Sequence, residues 1–271
     1  MGLKGAFLTI TNKCNLSCNY CYQNSSPEID TSKYLTRQEW MKIINVLDDL
    51  GVKKITFTGG EPFISPDFRD ILKHCSKRKF SIRIDTNSSL MKEDDFVFAK
   101  NNDITLAFNL NSHNKKIHDH YKMEGSWDKV VNAILKAKKY NIPIEINSIL
   151  TKRNIITIDN FVDFCRRLGV VRLRLVPILL SGRAKTMNNE MPSTKSIVRL
   201  RKKISSYKGI EVTLGCRTCE AGKYFITLQP NGTITPCTFM TKNIGKIDLS
   251  SPKRSILDAL KKYSSVKNVP C

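Results

Sequence analysis

The chain has 271 residues, 41% of them hydrophobic, and carries 45 Lys and Arg against 24 Asp and Glu for a formal net charge of +21. That length and apolar content bury a sizeable core, as one large domain or one domain with an appendage, and exclude an intrinsically disordered chain. No apolar run approaches the roughly 20 residues that span a bilayer, and Met1-Gly2-Leu3-Lys4 leads to a strand without a signal-peptide pattern, so a cytoplasmic protein is expected. In that reducing compartment, nine cysteines read as metal ligands more readily than as disulfides. The positive charge is spread along predicted helix faces, as at Lys136, Lys138, Lys139, Lys202, Lys203, Lys261 and Lys262. This is the pattern of a solvated surface; an acidic peptide or protein partner comes next, and RNA last.

The first predicted strand, 5–10, runs into Cys14-Asn15-Leu16-Ser17-Cys18-Asn19-Tyr20-Cys21. Three thiolates on a loop leaving a strand can hold a soft metal or an iron–sulfur cluster and leave one coordination position unfilled. A structural zinc site closes with four ligands, usually from C-x2-C pairs, whereas the spacing here is C-x3-C-x2-C. The polar Asn15, Ser17 and Asn19 that interleave argue against a buried apolar face.

A helix over 36–50 follows, opened by a Thr36…Glu39 capping box and stopped by Gly51. The second strand, 54–58, ends in Thr58-Gly59-Gly60-Glu61-Pro62, where paired glycines let a backbone approach a ligand closely. Helix 67–78, strand 80–86, helix 93–100, strand 104–110, helix 126–140, strand 143–150, helix 154–168 and strand 170–177 continue the alternation. These six βα-type units predict an α/β fold, a partial (β/α)6 TIM-type barrel over 1–180 with reactive groups at the C-terminal ends of its strands. Polar residues cluster at those ends, in Asp85-Thr86-Asn87, Asn109-Leu110-Asn111-Ser112 and Asn147-Ser148. The segment carrying His113, His118 and His120 reads as an exposed helix turn without a catalytic role, and Cys75 and Cys165 as core residues on helices.

Beyond the barrel the pattern predicts a connecting segment over 181–208, with a basic helix at 193–207, and a small hairpin-plus-helix extension over 209–271. Strands 223–229 and 233–236 are joined by the turn Gln229-Pro230-Asn231-Gly232. Four cysteines fall here: the pair Cys216 and Cys219, Cys237 just after the hairpin, and Cys271 at the last position. By spacing alone they suit zinc and an iron–sulfur cluster equally.

The three-cysteine loop with Tyr20 before its last Cys, followed one βα unit later by Gly59-Gly60-Glu61-Pro62, resembles the signature of the radical S-adenosylmethionine (radical SAM) superfamily. The resemblance implies a [4Fe-4S] cluster on Cys14, Cys18 and Cys21 whose open iron is chelated by the amino and carboxylate groups of S-adenosylmethionine. One electron from it would release a 5′-deoxyadenosyl radical that takes hydrogen from a substrate. The same resemblance implies that Tyr20, Gly59, Gly60 and Glu61 help bind the cofactor, that Asn87, Asn109, Asn111 and Asn147 contact its ribose and carboxylate, and that Val176 flanks its adenine. Many relatives carry Thr-Asn-Gly after the third strand where this chain has Thr86-Asn87-Ser88. The C-terminal extension, with Cys219, the Gly232-to-Cys237 interval and Pro236 before Cys237, resembles the SPASM auxiliary-cluster domain or its shorter twitch form. That implies an auxiliary [4Fe-4S] cluster on Cys219, Cys237, Cys271 and Cys216, with Cys216 otherwise a thiol able to give hydrogen to a substrate radical.

The resemblance implies a peptide substrate, since relatives of this two-part layout often modify ribosomally made peptides, by cross-linking, dehydrogenation or epimerisation, and the basic surface would suit an acidic leader. Since the chain begins at the first barrel strand, recognition of such a peptide is expected at the barrel mouth or from a separate protein, with a reductase or flavodoxin-like protein as electron donor. A radical SAM dehydrogenase of a small molecule such as a sugar or aminocyclitol is the alternative enzyme. An RNA-modifying enzyme rests on charge alone. A non-catalytic iron–sulfur electron carrier explains the cysteines but not the Gly-Gly-Glu-Pro turn.

Overall fold

The computed structural model describes residues 2–215, 219–240 and 242–264; Cys216 and Cys271 lie outside them. In chain order the elements are β1 (Gly5–Thr11), α1 (Arg37–Asp49), β2 (Lys54–Gly59), α2 (Phe68–Ser76), β3 (Ser81–Thr86), α3 (Glu93–Asn101), β4 (Thr105–Asn109), α4 (Lys115–Tyr121) and α5 (Ser126–Lys139). They continue with β5 (Ile144–Leu150), α6 (Ile158–Arg167), β6 (Arg172–Pro177), α7 (Thr194–Lys203), β7 (Glu211–Leu214), β8 (Phe225–Leu228), β9 (Thr233–Thr235), β10 (Gly245–Lys246) and α8 (Pro252–Ser264). This is the α/β fold expected, with parallel strands and a C-terminal hairpin and helix. No helix among the described residues is long and apolar enough to cross a membrane.

The chain divides into two compact units. The first comprises Met1–Asn15, Ser26–Ile84 and Thr218–Cys271. Here β1 is flanked by parallel partners on both sides, β2 with Gly5 opposite Lys54 and β8 with Gly5 opposite Phe225. An interior strand of a parallel sheet has its edges taken by neighbouring strands and its faces covered by the connections between them, and here Ala6, Leu8 and Ile10 are buried together with Thr9 and Thr11. Helix α1 buries Trp40, Ile43, Ile44 and Leu47, a stripe at helical spacing, and the capping box forms as the sequence predicts, with Thr36 N–H donating to Glu39 Oε2 at 2.7 Å. The predicted hairpin is present as antiparallel β8 and β9. Its first strand also continues the parallel sheet beside β1, a pairing that no local sequence signal announces.

The second unit comprises Leu16–Ser25 and Asp85–Arg217, with β4, β5, β6 and β7 paired in that order and all parallel. Strand β7 was not among the predicted elements: four residues inside a polar stretch are too few for a periodicity, and it forms by pairing Arg172 to Leu175 with Glu211 to Leu214. The histidine segment departs from the sequence expectation as well. It forms α4, capped by Asn114, but its His118 and Tyr121 are 0% and 1% exposed, so this is a buried helix face and not an exposed turn.

Candidate active site

In the first unit, the turn after β2 is stitched to the chain leaving β1. Gly60 N–H donates to Thr11 O at 2.7 Å and Glu61 N–H to Lys13 O at 3.0 Å. Only glycine permits this approach: a Cβ on Gly59, which has φ +145°, would sit 2.2 Å from Thr11 O, and one on Gly60 would sit 2.3 Å from Lys13 O. Glu61 is fully buried and accepts from Phe63 N–H at 3.2 Å through Oε1. Cys14 follows directly, 7% exposed, its N–H held by Ser26 O at 3.0 Å.

Cys18 and Cys21 belong to the second unit and are half-buried. Cys21 N–H donates to Cys18 O at 3.2 Å, Asn24 N–H to Cys21 O at 3.3 Å, and Ser25 N–H to the Cys21 sulfur at 3.3 Å. A backbone donor aimed at a thiol sulfur is a feature that stabilises thiolate ligands. Burial pushes the Cys18 thiol up, while the Lys122 ammonium and, more weakly, the Arg183 guanidinium pull it down. Among the described residues no group of three or more Cys, His, Asp and Glu side chains converges on one point.

The polar residues at the strand ends of this unit divide by what they touch. Tyr20 donates its hydroxyl to Asn109 Oδ1 at 2.6 Å, and Lys122 Nζ donates to Asn109 O at 3.0 Å. Asn111, 1% exposed, accepts from Ile149 N–H at 2.9 Å through Oδ1, whereas its Nδ2 is buried without a hydrogen-bond partner among the described residues. An unpaired buried amide costs free energy unless a ligand satisfies it. Asn147 donates to Asp85 Oδ1 at 3.3 Å, and Asn87 folds its Oδ1 back onto Ser89 N–H at 3.0 Å. Val176 lies half-buried on β6, opposite Ile149. The structure thus brings Tyr20, Asn109 and Asn111 into one cluster. Sequence reading missed Lys122, Ser25 and Arg183: the Arg183 bond to Cys18 spans 165 positions and the Lys122 bond to Asn109 spans 13, while the Ser25 N–H reaches the Cys21 sulfur over only four, through a loop turn that no residue type announces.

His118 joins the same region. Its Nδ1 accepts the Asn111 N–H at 3.1 Å, and burial, reinforced by Lys122, pushes its pKa down to about 3. The unfolded chain then takes up this proton more readily than the folded one, so stability is intact above the ordinary histidine pKa and falls as the pH drops below it. At pH 4.5 the loss from this one group is expected to be about 2.5 kcal/mol. A His118→Gln variant should therefore show a flatter stability profile between pH 6.5 and 4.5 in urea titrations; an unchanged slope would refute this.

In the first unit, Cys237 lies two residues after the end of β9, beyond Pro236, and Cys219 lies just before the turn into β8; neither is in a disulfide. Gly222 N–H donates to Pro236 O at 3.1 Å, tying the two cysteine-bearing segments together. The Tyr263 ring from the last turn of α8 packs on Gly222, where a Cβ would meet it at 2.0 Å.

Among curated proteins, the chain is 25% identical to the probable GTP 3′,8-cyclase of Methanocaldococcus jannaschii, over 91% of this chain and 88% of that protein. It is also 25% identical to the antilisterial bacteriocin subtilosin biosynthesis protein AlbA of Bacillus subtilis, over 88% of this chain and 55% of AlbA. Among solved structures, Streptococcus suis SuiB bound to S-adenosylmethionine superposes with a TM-score of 0.78 at 19% identity, covering 92% of this chain and 65% of SuiB. SuiB bound to its precursor peptide SuiA superposes with a TM-score of 0.72 at 17% identity, over 90% of this chain and 63% of SuiB. The chain therefore spans little more than half of AlbA and under two thirds of SuiB. Residues 8–168, more than half of the chain and including the cysteine loop and the Gly-Gly-Glu-Pro turn, match the radical SAM superfamily, and the chain belongs to it.

Proposed function

We propose that this radical SAM enzyme modifies a peptide. The observation that carries the reading is likeness along almost the whole chain to proteins that handle peptides: AlbA by sequence, and SuiB, solved with its precursor peptide, by fold. The net charge of +21 supports an acidic partner. Cys14, Cys18 and Cys21 would hold a [4Fe-4S] cluster, a reading supported by the Ser25 N–H aimed at the Cys21 sulfur. Gly59, Gly60 and Glu61 would present backbone and carboxylate to the amino group of S-adenosylmethionine. The orphaned Asn111 amide supports a polar ligand beside Tyr20 and Asn109, with Asn147 and Val176 further along the strand ends. When bound, cluster and cofactor together supply the hydrogen-abstracting radical; the protein orients the ligand and shields it from water.

Cys219 and Cys237, with Cys271 and Cys216, would hold an auxiliary [4Fe-4S] cluster. The bond that ties the Cys219 and Cys237 segments together supports this. A flavodoxin-like or other reductase would provide electrons, and a separate protein would assist recognition of the peptide. The bond formed in the peptide would be a cross-link, a dehydrogenation or an inverted centre.

A second reading, conversion of a purine nucleotide, is favoured by the match to the GTP 3′,8-cyclase, which spans nearly the full length of both chains. One experiment separates the two. Anaerobically reconstituted enzyme is supplied with S-adenosylmethionine, dithionite and either uniformly deuterated GTP or deuterated peptides encoded beside the gene. Deuterium appearing in 5′-deoxyadenosine from peptide supports the first reading; transfer from GTP alone overturns it in favour of the second.

A further inference from the structure

A short segment following β6 grips the cysteine loop. Arg183 donates its backbone N–H to Cys21 O at 3.0 Å, Nε to Cys18 O at 2.9 Å, Nη2 to Ser25 O at 2.7 Å and Nη1 to Asn24 Oδ1 at 3.3 Å. One residue thus fixes the backbone at both thiol-bearing positions of the Leu16–Ser25 segment and at Ser25, whose N–H points at the Cys21 sulfur. The preceding residue must be glycine. Gly182 has φ +57°, and a Cβ there would lie 2.4 Å from Cys21 O and 2.6 Å from Tyr22 O. The segment is itself anchored, because Ala184 and Met187 are buried with Tyr121 and Ile178 in an apolar cluster against which Tyr20 packs. A planar guanidinium with its donors in a fixed fork suits this job, since it satisfies several acceptors at once without deprotonating.

We infer that Arg183 is a positioning residue for the first cluster, holding the Cys18–Ser25 loop in ligand geometry and placing a permanent positive charge beside an anionic thiolate set. The inference rests on reading Cys14, Cys18 and Cys21 as the cluster's ligands. Its physical basis is twofold. Locking the carbonyls of Cys18, Cys21 and Ser25 removes loop freedom that would otherwise be lost when the thiolates bind iron. A cation near the sulfurs favours the extra electron of the reduced cluster. Lysine in its place would keep the charge but lose the fork, so the two contributions separate.

The test uses the whole 271-residue chain reconstituted with iron and sulfide without oxygen, in a C219A/C237A background so that iron at the first site alone is counted. Wild type at position 183, R183K and R183A are compared for the rate of iron loss to bathophenanthroline disulfonate and for the spin signal of the dithionite-reduced cluster. R183A is expected to lose iron about tenfold faster, the lower end of what outer-shell partners of a metal site contribute, and to give a weaker reduced signal. R183K should recover the signal but not the slow iron loss. Iron retention and spin at wild-type levels in R183A overturn the inference. Should R183A apoprotein fail to fold by circular dichroism, the R183K rate decides in the same way, a wild-type rate overturning the fork. If the protein with Arg183 intact binds no iron at all, the ligand reading itself falls, an outcome distinct from a variant that holds iron equally well.

Discussion

Changing Cys14, Cys18 and Cys21 together to Ala is expected to lower bound iron from about eight to about four per chain. Reductive production of 5′-deoxyadenosine should fall at least ~1000-fold, because without the first cluster no electron reaches the cofactor. The structure gives the fold little reason to fail alongside. Cys14 is buried but small, Cys18 and Cys21 are half-buried, and the loop's backbone bonds to Ser26, Tyr121 and Arg183 do not use the sulfurs. Loss of three sulfur atoms should therefore cost no more than about 2–3 kcal/mol in urea unfolding of the apoprotein. The residual iron carries the second half of the argument. If it disappears when Cys219 and Cys237 are also changed, the auxiliary cluster stands. If wild type instead holds about four irons and the triple variant retains zinc, the C-terminal cysteines are a structural zinc site and the auxiliary cluster is withdrawn, leaving the radical enzyme intact.

What the sequence disclosed and what it withheld follow from the range of the interactions. The capping box at Thr36 and Glu39, the apolar stripe of α1 and the three-cysteine spacing are all set by residues a few positions apart, so they are legible in a linear reading. The same holds for Gly59 and Gly60, whose role as a close backbone approach was expected and whose partner, the chain leaving β1, the structure supplies. Arg183 was invisible for the opposite reason. Its bond to Cys18 spans 165 positions, and on the page it is one more cation in a polar connection. His118 misled because a stretch of Lys, His and Asp looks solvated, while its neighbours Tyr121 and Ile117 direct one face of the short helix inward. Strand β7 and the parallel pairing of β8 with β1 exist only because a neighbouring strand is there to receive them, which is tertiary context overriding weak local preference.

The Gly60→Ala substitution is expected to rank with Gly59→Ala among the most damaging single methyls in the chain's first unit. The added carbon would stand 2.3 Å from Lys13 O and 2.7 Å from Asn12 O, both backbone atoms that no rotamer change can move aside. Either the β2 turn or the chain before Cys14 must shift, and with it the bonds from Gly60 N–H to Thr11 O and from Glu61 N–H to Lys13 O. Overpacking and two weakened hydrogen bonds together predict a loss of about 3 kcal/mol. Gly51→Ala is the informative comparison: at φ +76° with no atom within 4 Å of the new carbon, it meets backbone strain alone, worth about 1 kcal/mol. Urea titration of both variants measures the difference, and equal losses would show that the approach to Lys13 O relaxes freely. The functional consequence is larger than the stability term, because the carbonyl that must move belongs to the residue immediately before Cys14. A Gly60→Ala protein that folds should bind the first cluster's iron poorly and cleave little S-adenosylmethionine, whereas Gly51→Ala, at the far end of α1, should do both normally.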